Sequence, residues 1–372
     1  MKLPVPAEEQ FRAPAHDERV TSKIGLALAV TFTTCFVTGL LSHLIQHPPV
    51  WFSWPSRPVG LYRVTQGLHV ICGVASIPLL LAKLWSVYPK LFGRPLVRSL
   101  PHALERLSIL VLSGAAFFEL TTGLLNVAQN YPWGFYFPQV HYAVAWLAIG
   151  SILVHVAVKL PVIRRALSRA TVAEEPPSTG LSRRGFLRTT GLAAGVAVVA
   201  TAGATVPFLR GVSGLSWKTG KGTQNLPVNR TAAAAGVTWS PTWRLSVVTP
   251  RGTTAFSLDQ LRALPQTTAE LPIACVEGWS QSAIWRGVSL PVLLKAAGAA
   301  PGTAVRVSSL ERNGLYGVSV LPGEHTADEL TLLALELNGE VLDLDHGFPC
   351  RIIAPNRPGV LQTKWVAKLE AL

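Results

Sequence analysis

Apolar residues run through the N-terminal half of the chain in blocks too long for the core helices of a soluble protein. Four windows carry no formal charge, Ile24–Ile45, Val64–Ala82, Gln139–Val158 and Thr189–Leu209; a fifth, Leu107–Asn130, carries only Glu119. A helix needs about 20 mostly apolar residues to cross a bilayer, so the pattern predicts five membrane spans. Four end near Val158. The fifth stands behind a polar linker that contains Glu174, Glu175, Pro176 and Pro177. From Thr223 the period changes. Short alternating segments such as "WRLSVVTP", "AVRVSSL", "LYGVSVLP" and "PCRIIAP" read as strands bounded by Gly and Pro turns. "LDQLRALP" and "LPVLLKAAG" read as short helices. The predicted fold is an N-terminal all-α transmembrane four-helix bundle (1–172), a linker with one further membrane span (173–221), and a C-terminal α+β domain (222–372).

Composition agrees with this division. The 372 residues are 49% hydrophobic and only 14% charged, against about 25% charged in an ordinary soluble domain. Mean hydropathy is +0.35. A wholly soluble chain and a disordered one are both excluded. The net charge of +13 would by itself suggest nucleic acid, but its distribution says otherwise. With the N-terminus inside, the inner segments hold sixteen Lys and Arg, while the outer ones hold only Arg57 and Arg63. Residues 210–372 carry 15 basic against 12 acidic side chains. The charge is membrane topology, nucleic acid is excluded as a partner, and membrane lipid is expected. Cys35, Cys72, Cys275 and Cys350 lie far apart with no CxxC pair, which argues against zinc fingers and a dense disulfide framework.

The fifth span is preceded by Ser182-Arg183-Arg184-Gly185-Phe186-Leu187. This resembles the twin-arginine export signal, which implies that the domain behind it is exported already folded, with its cofactor inserted. The span then reads as an uncleaved anchor. The alternative is that the two arginines are only inside-positive flanks.

Seven of the nine histidines lie in the first 160 residues, and ionisable groups within spans are functional candidates by default. His141 and His155 are fourteen residues apart, about 21 Å and close to four turns, so they share a face. One ligand near each leaflet is what two stacked haems require. The arrangement resembles the four-helix cytochrome b subunits of formate dehydrogenases and nickel hydrogenases, whose second helix carries a further histidine near the outer leaflet. His69 in "YRVTQGLHVICGVASIPLLLAKLW" matches it, which implies a His69–His141 haem b. If the two helices start flush, these residues differ in depth by about 9 Å. The family's remaining ligand has no counterpart in "VTSKIGLALAV", which leaves His102 as a partner for His155 and His43 as the first alternative for His141. One haem b is expected and a second is open. The alternative is a set of interface histidines bonded to backbone.

In the C-terminal half, "LPIACVEGWSQSAIWRGVSLPVLLKAAG" places a single cysteine between a strand and a Gly-Trp-Ser turn. A soft thiolate suits a redox-active metal; a buried free cysteine is the other reading. The segment resembles the molybdenum-cofactor domain of the sulfite oxidase family, which includes the catalytic subunit of the bacterial methionine sulfoxide reductase system. A second motif, "TLLALELNGEVLDLDHGFPCRIIAPNRPGVLQTKWVAKLE", resembles that family throughout. The resemblance implies that Cys275 ligates molybdenum, and that His346, Arg351 and Lys364 contact the molybdopterin or its phosphate. Asn229 and Arg230 are read as further cofactor contacts, and Tyr316 as a pocket tyrosine that donates to a substrate oxygen. The arginines that follow the cysteine in animal and plant sulfite oxidases are absent. Here Glu277 stands in their place, where it would repel a sulfite dianion, and Arg286 or Arg230 is left to contact an anion. Cys350 reads as packing. The expected function is a membrane-bound molybdopterin-dependent oxidoreductase of a bacterial cytoplasmic membrane, with its catalytic domain outside. It would pass electrons between molybdenum and the quinone pool through haem b. The substrate would be a small oxyanion, or an S- or N-oxide if the enzyme is a quinol-driven reductase. A haem-bearing anchor with a non-catalytic binding domain is the alternative outside enzymes.

Overall fold

The computed structural model describes residues 13–92, 99–168, 181–216, 222–312, 314 and 316–372. The expected linker over 173–182 therefore lies mostly outside the described residues. The chain divides into two compact units: residues 1–40, 68–203 and 208–217 in the first, and 41–67, 204–207 and 218–372 in the second.

Five helices organise the first unit: α1 (Glu18–Gln46), α2 (Leu61–Val87), α3 (Leu100–Val127), α4 (Phe137–Leu167) and α5 (Arg183–Thr201). All five are long and apolar enough to cross a membrane. Several hydroxyl side chains within them are satisfied along the helix. Thr38 Oγ1 donates to the Thr34 carbonyl at 2.6 Å, Ser76 Oγ to Cys72 at 2.8 Å, and Thr122 Oγ1 to Phe118 at 2.7 Å. Ser182, the first residue of the arginine motif, is the N-cap of α5 and accepts from the Gly185 N–H at 3.0 Å. Phe186 and Leu187 pack against Val20, Ile24 and Leu79, and Arg183 pairs with Asp17 at 3.2 Å. The last span is shorter than its apolar window, which ran to Leu209. The chain turns back after Ala204, and the Leu215 N–H and the Ser213 hydroxyl take up the carbonyls of Ala200 and Val199. Those bonds satisfy the end of the helix.

The second unit is α+β. One sheet has the order β2-β1-β10-β5-β6, from β1 (Leu245–Thr249), β2 (Gly252–Phe256), β5 (Val305–Ser309), β6 (Val318–Leu321) and β10 (Val366–Ala371). The other has the order β3-β4-β7-β8, from β3 (Gln266–Ala274), β4 (Ser280–Ser289), β7 (Leu332–Leu337) and β8 (Glu340–Val341), with β9 (Arg351–Ile353) pairing with the first half of β7. Helices α6 (Leu258–Ala263), α7 (Leu290–Ala296) and α8 (Gly323–Ala327) are short. Every segment read as a strand or helix in the sequence contains one. Strand β7 is an almost continuous apolar run because both its faces are covered. Leu333 and Leu335 join the core with Leu245, Val307, Leu369 and Cys350, whereas Leu332 and Ala334 face a second core with Trp285, Trp279, Ile273 and Cys275. Cys350 is fully buried packing, as expected.

At Gly287 the β4–β7 register shifts. A Cβ there would lie 2.6 Å from the Ala334 Cα and run into the backbone of Leu333. Gly287→Ala should therefore destabilise this unit by about 1–3 kcal/mol. The expected readout is a thermal midpoint several degrees lower in tryptophan fluorescence, Trp285 being fully buried nearby. An unchanged midpoint would mean that the two strands separate freely at this point.

Candidate active site

Strands β3 and β4 form an antiparallel pair whose last register is Ala274 with Ser280, and Cys275 opens the turn between them. The turn is closed by the Cys275 N–H donating to the Trp279 carbonyl at 2.8 Å, and the Gly278 N–H donating to Cys275 at 3.0 Å. Gly278 has φ +85°, a conformation open to glycine. The sulfur is 2% exposed and accepts from Asn229 Nδ2 at 2.8 Å and from the Glu277 N–H at 3.5 Å. The Asn229 amide is itself fixed, because Trp279 Nε1 donates to its Oδ1 at 2.9 Å, so its NH₂ must face the sulfur. Burial, with the Glu277 carboxylate, pushes the Cys275 thiol up to about 12, and the Asn229 and backbone donors pull the other way. A bound cation would supply the missing stabilisation of a thiolate.

The second set of expected residues is tied to the first through the backbone of residues 229–230. Lys364 Nζ donates to the Arg230 carbonyl at 2.6 Å and to the Asp345 carbonyl at 2.9 Å, and lies 4.4 Å over the Trp365 ring. His346 Nε2 is 2.7 Å from the Thr223 carbonyl, so it carries the proton and Nδ1 is left as the acceptor. Arg351 lies 5.1 Å over Trp285, donates to the carbonyls of His346 and Gln362 at 3.0 and 3.1 Å, and has its buried Nε unpartnered. Burial and the neighbouring Arg351 bring Lys364 down to about 7, and burial brings Arg351 to about 9. These cations are crowded together in a poorly solvated place, a disposition that an anion would relieve. Asn229, Arg230, His346, Arg351 and Lys364 therefore form one neighbourhood that begins at the Cys275 sulfur. Tyr316 is half-buried in the turn before β6. Arg286 does not join them: it is spent on Glu336 across the strands at 2.7 Å, with its side chain 46% exposed. Arg230 pairs with Glu311 at 3.1 Å.

Three elements of the site had no signal in the sequence reading. Gly359 brings its loop against the cysteine, a Cβ there lying 3.5 Å from the Cys275 Cα. Gln362, 2% exposed, pins that loop by bonds to both backbone groups of Ala354. Asp345 accepts from the Ala232 N–H at 2.7 Å. Gly359 and Asp345 act through contacts distant in sequence, which no local pattern encodes. Among the described residues, no three His, Cys, Asp or Glu side chains converge as a metal site. The protein offers one soft ligand beside a cationic cradle, and this donor set fits a metal whose other ligands come from an anionic cofactor.

Residues 231–372 match the family model described as the oxidoreductase molybdopterin binding domain. This part of the chain is a molybdopterin-binding oxidoreductase domain. Among similar proteins, the sulfite oxidase of Arabidopsis thaliana is 34% identical over 113 residues, 26% of this chain and 29% of that protein. The candidate protein-methionine-sulfoxide reductase subunit YedZ1 of Azospira oryzae is 29% identical over 115 residues, 31% of this chain and 43% of that one. The uncharacterized oxidoreductase YuiH of Bacillus subtilis is 29% identical over 115 residues, covering 57% of its length. The chain thus spans between about a third and three fifths of these relatives.

In the helical unit, the rings of His69 and His141 meet edge-on with centroids 6.2 Å apart and planes 63° apart. The rings meet despite the offset of about 9 Å expected if the helices started flush. His69 Nδ1 lies 3.0 Å from the Cys35 carbonyl and must donate to it, which leaves Nε2 unprotonated. His141 Nδ1 lies 2.9 Å from Thr122 Oγ1, whose own proton goes to Phe118, so the same tautomer is imposed. Two imidazoles each about 2 Å from one metal would have centroids at about this separation. His141 Nε2, bare in that tautomer, lies 3.1 Å from Glu119 Oε2, so Glu119 must carry the proton of this bond and is a hydrogen-bonded interior carboxylic acid. The His43 and His47 rings lie 4.9 Å apart, tilted by 47°. His155 and His102 share electrostatic contact with Glu105, which is paired with Lys159.

Lys364 gives a pH signature in the molybdopterin-binding domain. Its folded pKa lies below its ordinary 10.5, so between about 7 and 10.5 the unfolded chain holds a proton that the folded one lacks. Stability then rises with pH across that window, and the cost of the buried charge is fully present below it. In cofactor-free protein the thermal midpoint should rise from pH 7 to 9, and Lys364→Met should flatten that rise. Parallel profiles for the two proteins would show that Lys364 is as well solvated folded as unfolded.

Proposed function

We propose that the protein is a membrane-bound molybdopterin-dependent oxidoreductase that exchanges electrons between a molybdenum centre at Cys275 and the quinone pool. Haem b between His69 and His141 would serve as the relay, and the domain would face outward from a bacterial cytoplasmic membrane. The observation that carries the reading is the Cys275 sulfur: it is buried, holds two N–H donors, and lies inside a molybdopterin-binding domain next to a cluster of buried cations. Molybdopterin, when bound, supplies a metal that takes up or gives up an oxygen atom in a two-electron step. The chain's own residues do the rest. Cys275 would hold the metal as a thiolate, and Asn229 would stabilise that charge by the hydrogen bond it already makes. Lys364, Arg230 and Arg351 would hold the anionic part of the cofactor, and His346 would accept at Nδ1. Tyr316 would donate to the substrate oxygen. In the helical unit, the Cys35 carbonyl and Thr122 would keep His69 and His141 in the tautomer that ligates through Nε2.

Two directions of flow are open to this chemistry, and one observation favours the reductive one. Glu277 lies beside the sulfur and raises the cost of negative charge there. It disfavours a dianion such as sulfite and tolerates a neutral S- or N-oxide. The YedZ1 relative's name, a methionine-sulfoxide reductase subunit, agrees.

Full-length protein in detergent tests the reading. After reduction of the haem by limiting dithionite, methionine sulfoxide or trimethylamine oxide should reoxidise it, and Cys275→Ser should abolish this while the haem absorbance stays intact. Reduction of oxidised haem by sulfite, instead, would establish the oxidative direction. Reoxidation by S-oxide that persists in Cys275→Ser would contradict the role of the cysteine. His69→Ala and His141→Ala should each remove the same component from the redox-difference spectrum. Loss of different components would break the pairing.

A further inference from the structure

We propose that residues Trp54–Arg63, from the α1–α2 connection into the first turn of α2, form a wall of the Cys275 site, and that Arg63 and Asn356 are positioning residues for the turn that carries the sulfur. These residues lie far outside the matched segment 231–372, yet belong to the same compact unit. Two consecutive side chains hold the two ends of the cysteine turn. Tyr62, 1% exposed, packs with Ala274, the residue before the cysteine, and with Ile45 and Leu361. Arg63 donates from Nε to Ser280 Oγ at 2.8 Å and from a terminal nitrogen to Ser282 Oγ at 2.9 Å. Ser280 is the residue directly after the turn and is 2% exposed. The rigid fork of the guanidinium matches the spacing of two same-face serines on one strand.

Asn356 locks the segment in place. It is 2% exposed, and all its polar groups are given to residues 54–62. Its Oδ1 accepts from the Tyr62 N–H at 2.6 Å, and its Nδ2 donates to the Pro55 carbonyl at 2.6 Å. Its carbonyl accepts from Trp54 Nε1 at 2.9 Å, and its N–H donates to the Val59 carbonyl at 3.1 Å. The residue sits at φ +55°, which asparagine tolerates better than most side chains. Arg57 adds a two-pronged pair with Asp328 at 2.9 Å. The same loop reaches the cysteine three residues later, where Pro358 bridges to Ala274 and Gly359 lies against Cys275. The turn is thus held from 62–63 on one side and from 356–359 on the other, and Asn356 joins the two. Removing Arg63 takes the guanidinium from the buried Ser280 and the half-buried Ser282 and frees the outer end of the turn.

The proposal goes beyond electron transfer and uses the ligand role of Cys275 only for its meaning in turnover. Its test is protection of the thiol in full-length, cofactor-free protein in detergent. Labelling by N-ethylmaleimide is followed at Cys275 and at Cys350, which is fully buried in the other core and reports global unfolding. Arg63→Met and Asn356→Ala should each speed Cys275 labelling at least tenfold with Cys350 unchanged, and Arg63→Lys should fall between. The double variant Ser280→Ala/Ser282→Ala removes the same contact from the strand and should reproduce the Arg63→Met result, which guards against a variant that misfolds. Labelling of Cys275 within twofold of wild type in Arg63→Met and in the serine variant would overturn the proposal. So would a parallel rise at Cys275 and Cys350 in the serine variant. Because no cofactor is present, a failed reoxidation assay leaves this result untouched, and the reverse also holds.

Discussion

Much of the second unit is arranged around a sulfur atom that is buried and yet treated as a hydrogen-bond acceptor. A free cysteine in an apolar core is ordinarily inert packing, as Cys350 is here. Cys275 differs in one respect. The Asn229 amide is turned toward it and cannot turn away, because Trp279 holds the opposite end. Fixing a donor on a neutral thiol gains little, whereas fixing it on a thiolate stabilises a charge that burial otherwise opposes. The sheet pairing, the left-handed glycine of the turn and the close approach of Gly359 all follow from holding that sulfur in one place.

The helical unit repeats the logic with imidazole. Ring nitrogens facing away from the His69–His141 pair are engaged by a carbonyl and by a threonine hydroxyl, and those outer bonds decide which nitrogens remain lone-pair donors. In both units neutral or backbone groups orient the atom proposed as a ligand. Charged groups are kept for the cationic cluster at Lys364 and Arg351.

The sequence made the coarse architecture legible because long apolar helices and half-buried strands leave local signals, in length and in alternation, that survive without tertiary context. The windows over α1 to α5 and the segments over β1, β5, β6 and β9 are of this kind. The turn at Cys275 was readable for a different reason: cysteine, glycine and tryptophan at close spacing constrain one another locally. The end of α5 was not, since Pro207, Phe208 and Leu209 are as apolar as the helix and only the return of Ser213 and Leu215 ends it. Arg63 and Asn356 were also hidden. Arg63 counts in the sequence as one of two outer basic residues, and Asn356 sits between two prolines as an ordinary loop residue. Their partners lie 217 and 294 positions away, a separation at which side-chain type carries no information about contact.

If Cys275 holds the metal of a bound molybdopterin, the molybdenum content of the protein must depend on its sulfur. Full-length protein purified from cells that make the cofactor should contain about one molybdenum per chain, and Cys275→Ser protein, folded with Cys350 still protected, should contain less than a tenth of that. Equal molybdenum in the two proteins, or none in the wild type, would contradict the account.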